Sequence, residues 1–145
     1  MMDFRFTDDQ QDLIDAAKAV FDGENTVERM RKMAAGENLE SLWPQFADLG
    51  LIGLMLPEDQ GGLEQPLVVM TGIAEAAGYA GLPETLIETA GITAPLLAEM
   101  GQTDGLASVL SGTTQVGLIS PLRPYVPFAD QCEYLVVITT SCDHN

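Results

Sequence analysis

Positive charge is scarce in this sequence of 145 residues. It holds 6 Lys and Arg against 22 Asp and Glu, which gives a formal net charge of −16. Five of the six bases lie within the first 32 residues, and the remaining one is Arg123. Nucleic acids and anionic membrane surfaces are bound by clustered Lys and Arg. The composition therefore argues against both as partners.

Histidine and cysteine are also nearly missing. The single histidine is His144, and Cys132 and Cys142 both lie close to the C-terminus. With so few of these residues, the sequence argues against a His-based catalytic triad and against a His-containing zinc site. Two late cysteines make no disulfide framework, although one disulfide between them stays open. We therefore predict neither a catalytic residue nor a metal site in this chain.

Long hydrophobic runs are absent too. No stretch of 18 or more apolar residues is free of charge, and the N-terminus begins with a polar segment that contains Asp3 and Arg5. These features predict no membrane span and no signal peptide. Hydrophobic residues still make up 46% of the sequence, with a mean hydropathy of +0.12. We expect a soluble domain with a real core, located in the cytoplasm.

Apolar residues recur at helical spacing over most of the chain. Thr7 and Gln10 form a capping-box pattern that opens the first helix, and Gly23 is expected to end it. Pro95 lies inside the fifth helix and should kink or split it near Gly91. The run at residues 51–56 reads as a strand or as a buried turn. Predicted helices cover roughly residues 8–23, 27–35, 42–49, 67–77, 84–100 and 104–110.

The character of the sequence changes after residue 113. Residues 115–119 and 134–139 read as strands, and three prolines between them exclude a helix. Two strands alone make a marginal sheet. We therefore predict a mainly α protein, with a helical domain at residues 1–113 and the opening of an incomplete β domain at residues 114–145.

Carboxylates inside the apolar helices are the remaining polar candidates. Glu75 and Glu88 have this position. The structural interpretation is that each reaches the surface or pairs with a neighbour, and the functional one places a polar group at the floor of an apolar pocket. Cys132 has no cation near it in sequence, so we expect an inert, partly buried thiol.

Three segments carry a family resemblance when they are taken in order. They read FTDDQQDL at residues 6–13, LWPQFADLGLIGLMLPEDQGG at residues 42–62 and GIAEAAG at residues 72–78. Together they resemble the N-terminal domain of the acyl-CoA dehydrogenases, with matching spacing over most of residues 4–112. Each motif is modest, whereas the ordered set is fairly specific. A small helical binding module unrelated to flavin is a further, less favoured interpretation.

The resemblance implies a helical N-terminal domain, a β middle domain and a C-terminal helical bundle. It also implies flavoprotein chemistry, in which a glutamate takes the α proton of an acyl-CoA thioester and FAD takes the β hydride. Implied partners are the acyl-CoA substrate, an electron-transfer flavoprotein and either another dehydrogenase subunit or a second copy. In that family the N-terminal domain helps to wall the acyl chain. The residues expected to line this acyl pocket are Leu86, Thr89, Ala90 and Thr93.

The sequence departs from the family where flavin chemistry begins. The place of the family's T-E-P motif reads GLISP at residues 117–121, and no Gly-Ser-Asp turn follows. This resembles the shortened middle domain of diverged small subunits in heteromeric acyl-CoA dehydrogenases that act on steroid or other bulky acyl-CoAs. The segment that carries the family's catalytic base is also missing. We therefore expect the N-terminal portion of an acyl-CoA dehydrogenase-like flavoprotein that is inactive alone and binds FAD only in a complete or heteromeric assembly. The alternative is a non-catalytic structural partner subunit.

Overall fold

A computed structural model of the chain describes residues 5–37, 39–122 and 124–139. Arg123, Cys142 and His144, which the sequence singles out, lie outside these residues. The described helices and strands, in chain order, are α1 (Asp8–Glu24), α2 (Val27–Ala34), α3 (Trp43–Asp48), α4 (Leu67–Tyr79), α5 (Leu86–Glu88), α6 (Ala94–Glu99), α7 (Thr103–Leu110), β1 (Val116–Ile119) and β2 (Tyr134–Val137). The mainly α class with late strands is confirmed.

The first helix begins as its sequence predicts. The Thr7 side chain accepts a hydrogen bond from the Gln10 backbone N–H at 3.3 Å, and the Gln10 side chain accepts one from the Thr7 N–H at 3.0 Å. This reciprocal pair satisfies two amides that a helix start leaves without partners. The helix ends at Glu24, one residue beyond the predicted Gly23, and Asn25 caps it by donating its backbone N–H to the Phe21 carbonyl.

The predicted fifth helix is interrupted by a π-helical turn shortly before Pro95. A π-helical turn at Thr89–Thr93 joins α5 to α6, and Pro95 occupies the first turn of α6. Proline lacks the N–H that an α-helix would pair with the carbonyl four residues earlier, at Gly91. At the first turn of a helix this missing donor costs little. The kink or split expected near Gly91 takes the form of a π turn, and the helical run continues through it from α5 into α6.

The core forms where α1, α3 and α4 meet. Phe46 packs edge-on against Phe21 and Trp43, with ring centroids 5.7 and 5.9 Å apart. Helix α1 crosses close to α4 because Gly72 has no side chain: a Cβ there would lie 2.5 Å from the Ile14 Cδ1 atom. Residues 51–56, which the sequence left open between strand and turn, form a mostly buried turn.

The turn at residues 57–62 closes against this buried segment. Gly61 has a φ of +82°, in the left-handed region that glycine adopts without strain. A Cβ on Gly62 would lie 2.1 Å from the Leu56 carbonyl oxygen. The two glycines are therefore required by backbone geometry and close approach, which gives the turn a structural role.

The two predicted strands pair in parallel, with Val116 opposite Tyr134 and Ile119 opposite Val137. Residue Val116 of β1 is buried against the helical core, whereas most β2 side chains are exposed. The sheet is thus anchored on one side by β1. Of the helices that the structure describes, none is long and apolar enough to cross a membrane.

Candidate functional site

An apolar groove runs between α4 and the chain from α5 into the π turn. Its volume is about 660 Å³. We call it the α4 groove, and it is lined by Leu67, Met70, Ala74, Ala77, Gly78, Gly81, Leu82, Glu84, Thr85, Ile87, Glu88, Gly91, Ile92, Pro127 and Phe128. Pro127 and Phe128 come from the connection between β1 and β2. The groove is therefore bordered by this connection as well as by helical residues.

The groove exists because α4 is apolar on nearly every side. Much of its surface, including Met70, is buried in the core, and Met70 and Ala74 also border the groove. On the opposite wall lie Ile87 of α5 and Ile92 of the π turn. Ile92 is 47% exposed and Leu67 is 63% exposed. Large apolar side chains therefore remain open to an incoming ligand or partner.

Two glycines keep the groove wide. A Cβ on Gly78 or on Gly91 would meet no atom within 4 Å. Neither glycine has a positive φ, so a side chain at either position would occupy open space without backbone strain. Because both glycines border the groove, a larger side chain at either position would narrow it.

The four residues that the sequence assigned to an acyl pocket do not border this groove. Leu86, Thr89, Ala90 and Thr93 are all buried. The Thr89 hydroxyl donates to the Val116 carbonyl at 3.4 Å, and the Thr93 hydroxyl donates to the Glu88 carbonyl at the same distance. Their assignment to an acyl pocket stays a prediction. The neighbouring Ile87 and Ile92 border the groove instead. A second apolar face on the same predicted helix was the sequence feature that could have indicated them.

Three polar residues, Glu84, Thr85 and Glu88, border the groove. Thr85 is 3% exposed, and its hydroxyl has no hydrogen-bond partner. Glu88 is half-buried and borders the groove, whereas Glu75, the other carboxylate noted in the sequence, is exposed on α4 outside it. Glu84 is buried and is fully engaged by the protein itself.

Glu84 is the centre of a polar cluster that joins distant parts of the chain. Its carboxylate lies 3.0 Å from the Arg29 guanidinium, and the side chains of these residues are 1% and 12% exposed. It also accepts from the Leu42 N–H at 3.3 Å. Arg29 donates in addition to the Glu40 carbonyl at 3.0 Å. The cluster fixes α2 and the turn before α3 against the groove. Sequence reasoning missed this pair, which is separated by 55 residues.

Cys132 offers no reactive thiol. Burial raises the pKa of its thiol, and the neighbouring carboxylates Glu133 and Asp130 raise it further. Since the thiolate is the nucleophile, a raised pKa lowers reactivity at neutral pH. Within the described residues, no group of three or more His, Cys, Asp or Glu is arranged to hold a metal ion.

Comparison with known proteins agrees with the sequence resemblance. Residues 7–115 match the family model described as acyl-CoA dehydrogenase, N-terminal domain. Among solved structures, the chain is similar to one in the ChsE4-ChsE5 complex from Mycobacterium tuberculosis, with a TM-score of 0.67 and 25% sequence identity. The match covers 81% of this chain and 34% of that chain. No curated protein matches significantly. The chain thus spans about a third of the length of the solved chain that it resembles.

Proposed function

The chain belongs to the acyl-CoA dehydrogenase family, and we propose that its helical domain supplies one wall of an acyl-binding site in a larger flavoprotein assembly. The observation that carries this proposal is the α4 groove, which is apolar and open. Its volume of about 660 Å³ falls within the roughly 300–1,000 Å³ of small-molecule sites. The hydrocarbon tail of an acyl group has no groups that need hydrogen bonds, so such a surface suits it.

The described residues do not fit FAD by themselves. The diphosphate of FAD is bound by cationic side chains or by the free backbone N–H groups at a helix N-terminus. After Lys32 the described part of the chain contains no Lys or Arg. The strand β1 runs into the GLISP segment that stands in place of the T-E-P motif, and no Gly-Ser-Asp turn follows it. We therefore propose that FAD is held by other parts of the assembly.

The dehydrogenation of an acyl-CoA thioester belongs, on this proposal, to the assembly as a whole. The described residues contribute shape and apolar surface, and we assign no proton or hydride transfer to them. The division into a helical domain at residues 1–113 and the start of a β domain at residues 114–145 belongs to the same proposal. We also propose that an electron-transfer flavoprotein is the electron acceptor of this assembly.

A single substitution in the groove tests this assignment. Gly91→Leu places a side chain in the open space of the α4 groove. The matched control is Gly105→Leu, which makes the same change at an exposed position of α7 where a Cβ also meets no atom within 4 Å. Binding of dodecanoyl-pantetheine, an acyl thioester without phosphates, is measured by calorimetry.

We expect Gly91→Leu to weaken binding by about tenfold or more, since the new side chain fills the space of the ligand. Gly105→Leu should bind like the unmodified protein. Equal affinity in all three proteins would overturn the assignment of the groove. A loss in both variants would point to a general effect on folding, which circular dichroism of each protein checks.

A second candidate function is a non-catalytic partner subunit, and the surface of β2 favours it. Tyr134, Leu135 and Val137 are 65%, 48% and 55% exposed. A two-stranded sheet that exposes large apolar side chains is marginal in water and gains stability when it is covered. The similar solved chain is itself part of a complex of two proteins.

Sedimentation of the chain with and without a complete acyl-CoA dehydrogenase subunit tests this candidate. A stoichiometric complex that is lost on Leu135→Lys, with Tyr125→Lys as the control at another exposed apolar side chain, supports it. A chain that stays monomeric in the presence of such subunits contradicts it.

A further inference from the structure

An aromatic residue with left-handed backbone geometry borders the α4 groove. Phe128 has a φ of 55° and a ψ of 34°, a conformation that glycine adopts without cost and that is unusual for a bulky residue. It lies in the connecting segment, residues 124–133, which leads into β2. Strained backbone persists only where the surrounding structure fixes it, and it is concentrated at functional sites. Its place beside the groove makes Phe128 a candidate for such a role.

The protein holds this conformation on both sides of Phe128. After it, the Phe128 carbonyl accepts a hydrogen bond from the Gln131 backbone N–H at 2.9 Å. Before it, Val126 packs on β1, where a Cβ on Gly117 would lie 2.5 Å from the Val126 Cγ1 atom. The absence of a side chain at Gly117 thus lets the connecting segment approach the strand. The segment is therefore held against β1 where it borders the groove.

The side chain of Phe128 is shielded from water although much of its segment is not. Tyr125 is 82% exposed and residues 129–130 are exposed, whereas Phe128 is half-buried. Phe128 borders the same groove as the apolar Ile87 and Ile92. An aromatic ring in a largely exposed segment gains stability when it lies beside such residues. The burial of Phe128 is thus explained by its place in the groove wall.

We propose that the Phe128 ring limits the width of the acyl tail that the α4 groove accepts. This inference rests on the proposed acyl-binding function and adds a residue that selects among acyl tails. A flat aromatic ring offers a large apolar contact area to an extended hydrocarbon chain. Because the backbone is held on both sides, the segment cannot swing away from the groove without losing its contacts with β1. A wide tail therefore competes with the ring for space.

Two acyl thioesters with the same number of carbon atoms test the role of the ring. Dodecanoyl-pantetheine has a narrow, flexible tail, and adamantylacetyl-pantetheine has a wide, rigid one. Calorimetry measures the affinity of each for the unmodified full chain and for Phe128→Ala, which removes the ring and keeps the Cβ. We expect the ratio of the two affinities to shift toward the wide tail by about fivefold or more in this variant. A purely structural role would weaken both ligands alike and leave the ratio unchanged.

Two further variants separate the ring from the backbone and from the rest of the segment. Phe128→Gly also removes the ring and should shift the affinity ratio as Phe128→Ala does. Since glycine adopts a positive φ without strain, Phe128→Gly should unfold at a higher urea concentration than Phe128→Ala. Tyr125→Ala removes an exposed ring of the same segment that does not border the groove, and it should leave the ratio unchanged.

The outcomes distinguish this inference from the proposed function on which it rests. An unchanged affinity ratio in both Phe128 variants would overturn the inference, while binding of the thioesters would still support the acyl groove. A shift in Phe128→Gly alone would assign the effect to the backbone, and an equal shift in Tyr125→Ala would assign it to the whole segment; each contradicts the role of the ring. Failure of both thioesters to bind the unmodified protein would refute the proposed function, and this inference with it.

Discussion

Arg29→Met is the substitution that most sharply tests the packing of the helical domain. The Glu84 carboxylate is buried, and Arg29 is its charged partner at 3.0 Å. Removing one member of a buried ion pair leaves an uncompensated charge, at a cost of about 3–5 kcal/mol. For a chain of this size that is a fall of about 10 °C in Tm. Because native domains are stable by only about 5–15 kcal/mol, the loss is readily measured.

Urea unfolding followed by the fluorescence of Trp43 provides the assay. The chain has a single tryptophan, which is 1% exposed and packs in the core. The control is Lys32→Met on the same helix, because Lys32 pairs with Glu28 at 3.0 Å on the surface, with side chains 45% and 77% exposed. Exposed pairs contribute little, so this variant should unfold like the unmodified chain.

A double variant separates the cost of an unpaired buried Glu84 carboxylate from the cost of lost side-chain packing. Replacing both Arg29 and Glu84 by apolar residues removes the pair without leaving a charge behind. The double variant should therefore be more stable than Arg29→Met alone. A free energy of unfolding for Arg29→Met within about 0.5 kcal/mol of the unmodified protein would refute the account of this pair.

Two further predictions concern the turn after the buried segment and the thiol. Gly62→Ala should lower the free energy of unfolding by about 1–3 kcal/mol, because the new Cβ would overlap the Leu56 carbonyl oxygen. Gly23→Ala should instead raise the free energy of unfolding by up to about 1 kcal/mol, because a Cβ there meets no atom within 4 Å. A loss of equal size at both glycines would contradict this account. In a Cys142→Ser background, Cys132 should react with iodoacetamide at pH 8 more slowly than a free cysteine peptide, since burial raises its pKa; an equal rate would show an exposed thiol.

Features encoded within a few residues were predictable from the sequence. The capping box needs only Thr7 and Gln10, and the break in the fifth helix needs only Pro95 and the geometry of the chain four residues before it. Each depends on local hydrogen bonding and sterics. Tertiary contacts did not alter them.

The side of a helix that is buried was harder to predict. The fifth helix is apolar on two sides, and periodicity does not say which side the remaining chain covers. The structure buries Leu86 and Ala90, while Ile87 and Ile92 border the α4 groove. The short run at residues 51–56 was ambiguous for a similar reason, because a run of this length lacks a decisive period.

Long-range pairs had no local signal at all. Arg29 and Glu84 are 55 residues apart, and 22 acidic residues compete as partners for six bases. The parallel pairing of β1 with β2 likewise depends on the path of the connection between them. Both arrangements follow from the assembled fold, so composition and spacing do not reveal them.

Photolabelling tests the proposed role of the α4 groove most directly. An acyl-pantetheine thioester with a diazirine at the end of its acyl chain is irradiated with the protein, and the labelled peptides are mapped by mass spectrometry. The account predicts labels within residues 67–79 and 87–92, reduced by an excess of dodecanoyl-pantetheine. Labels confined to other surfaces, such as the groove between α6 and α7 that Leu97 and Leu106 line, would contradict it.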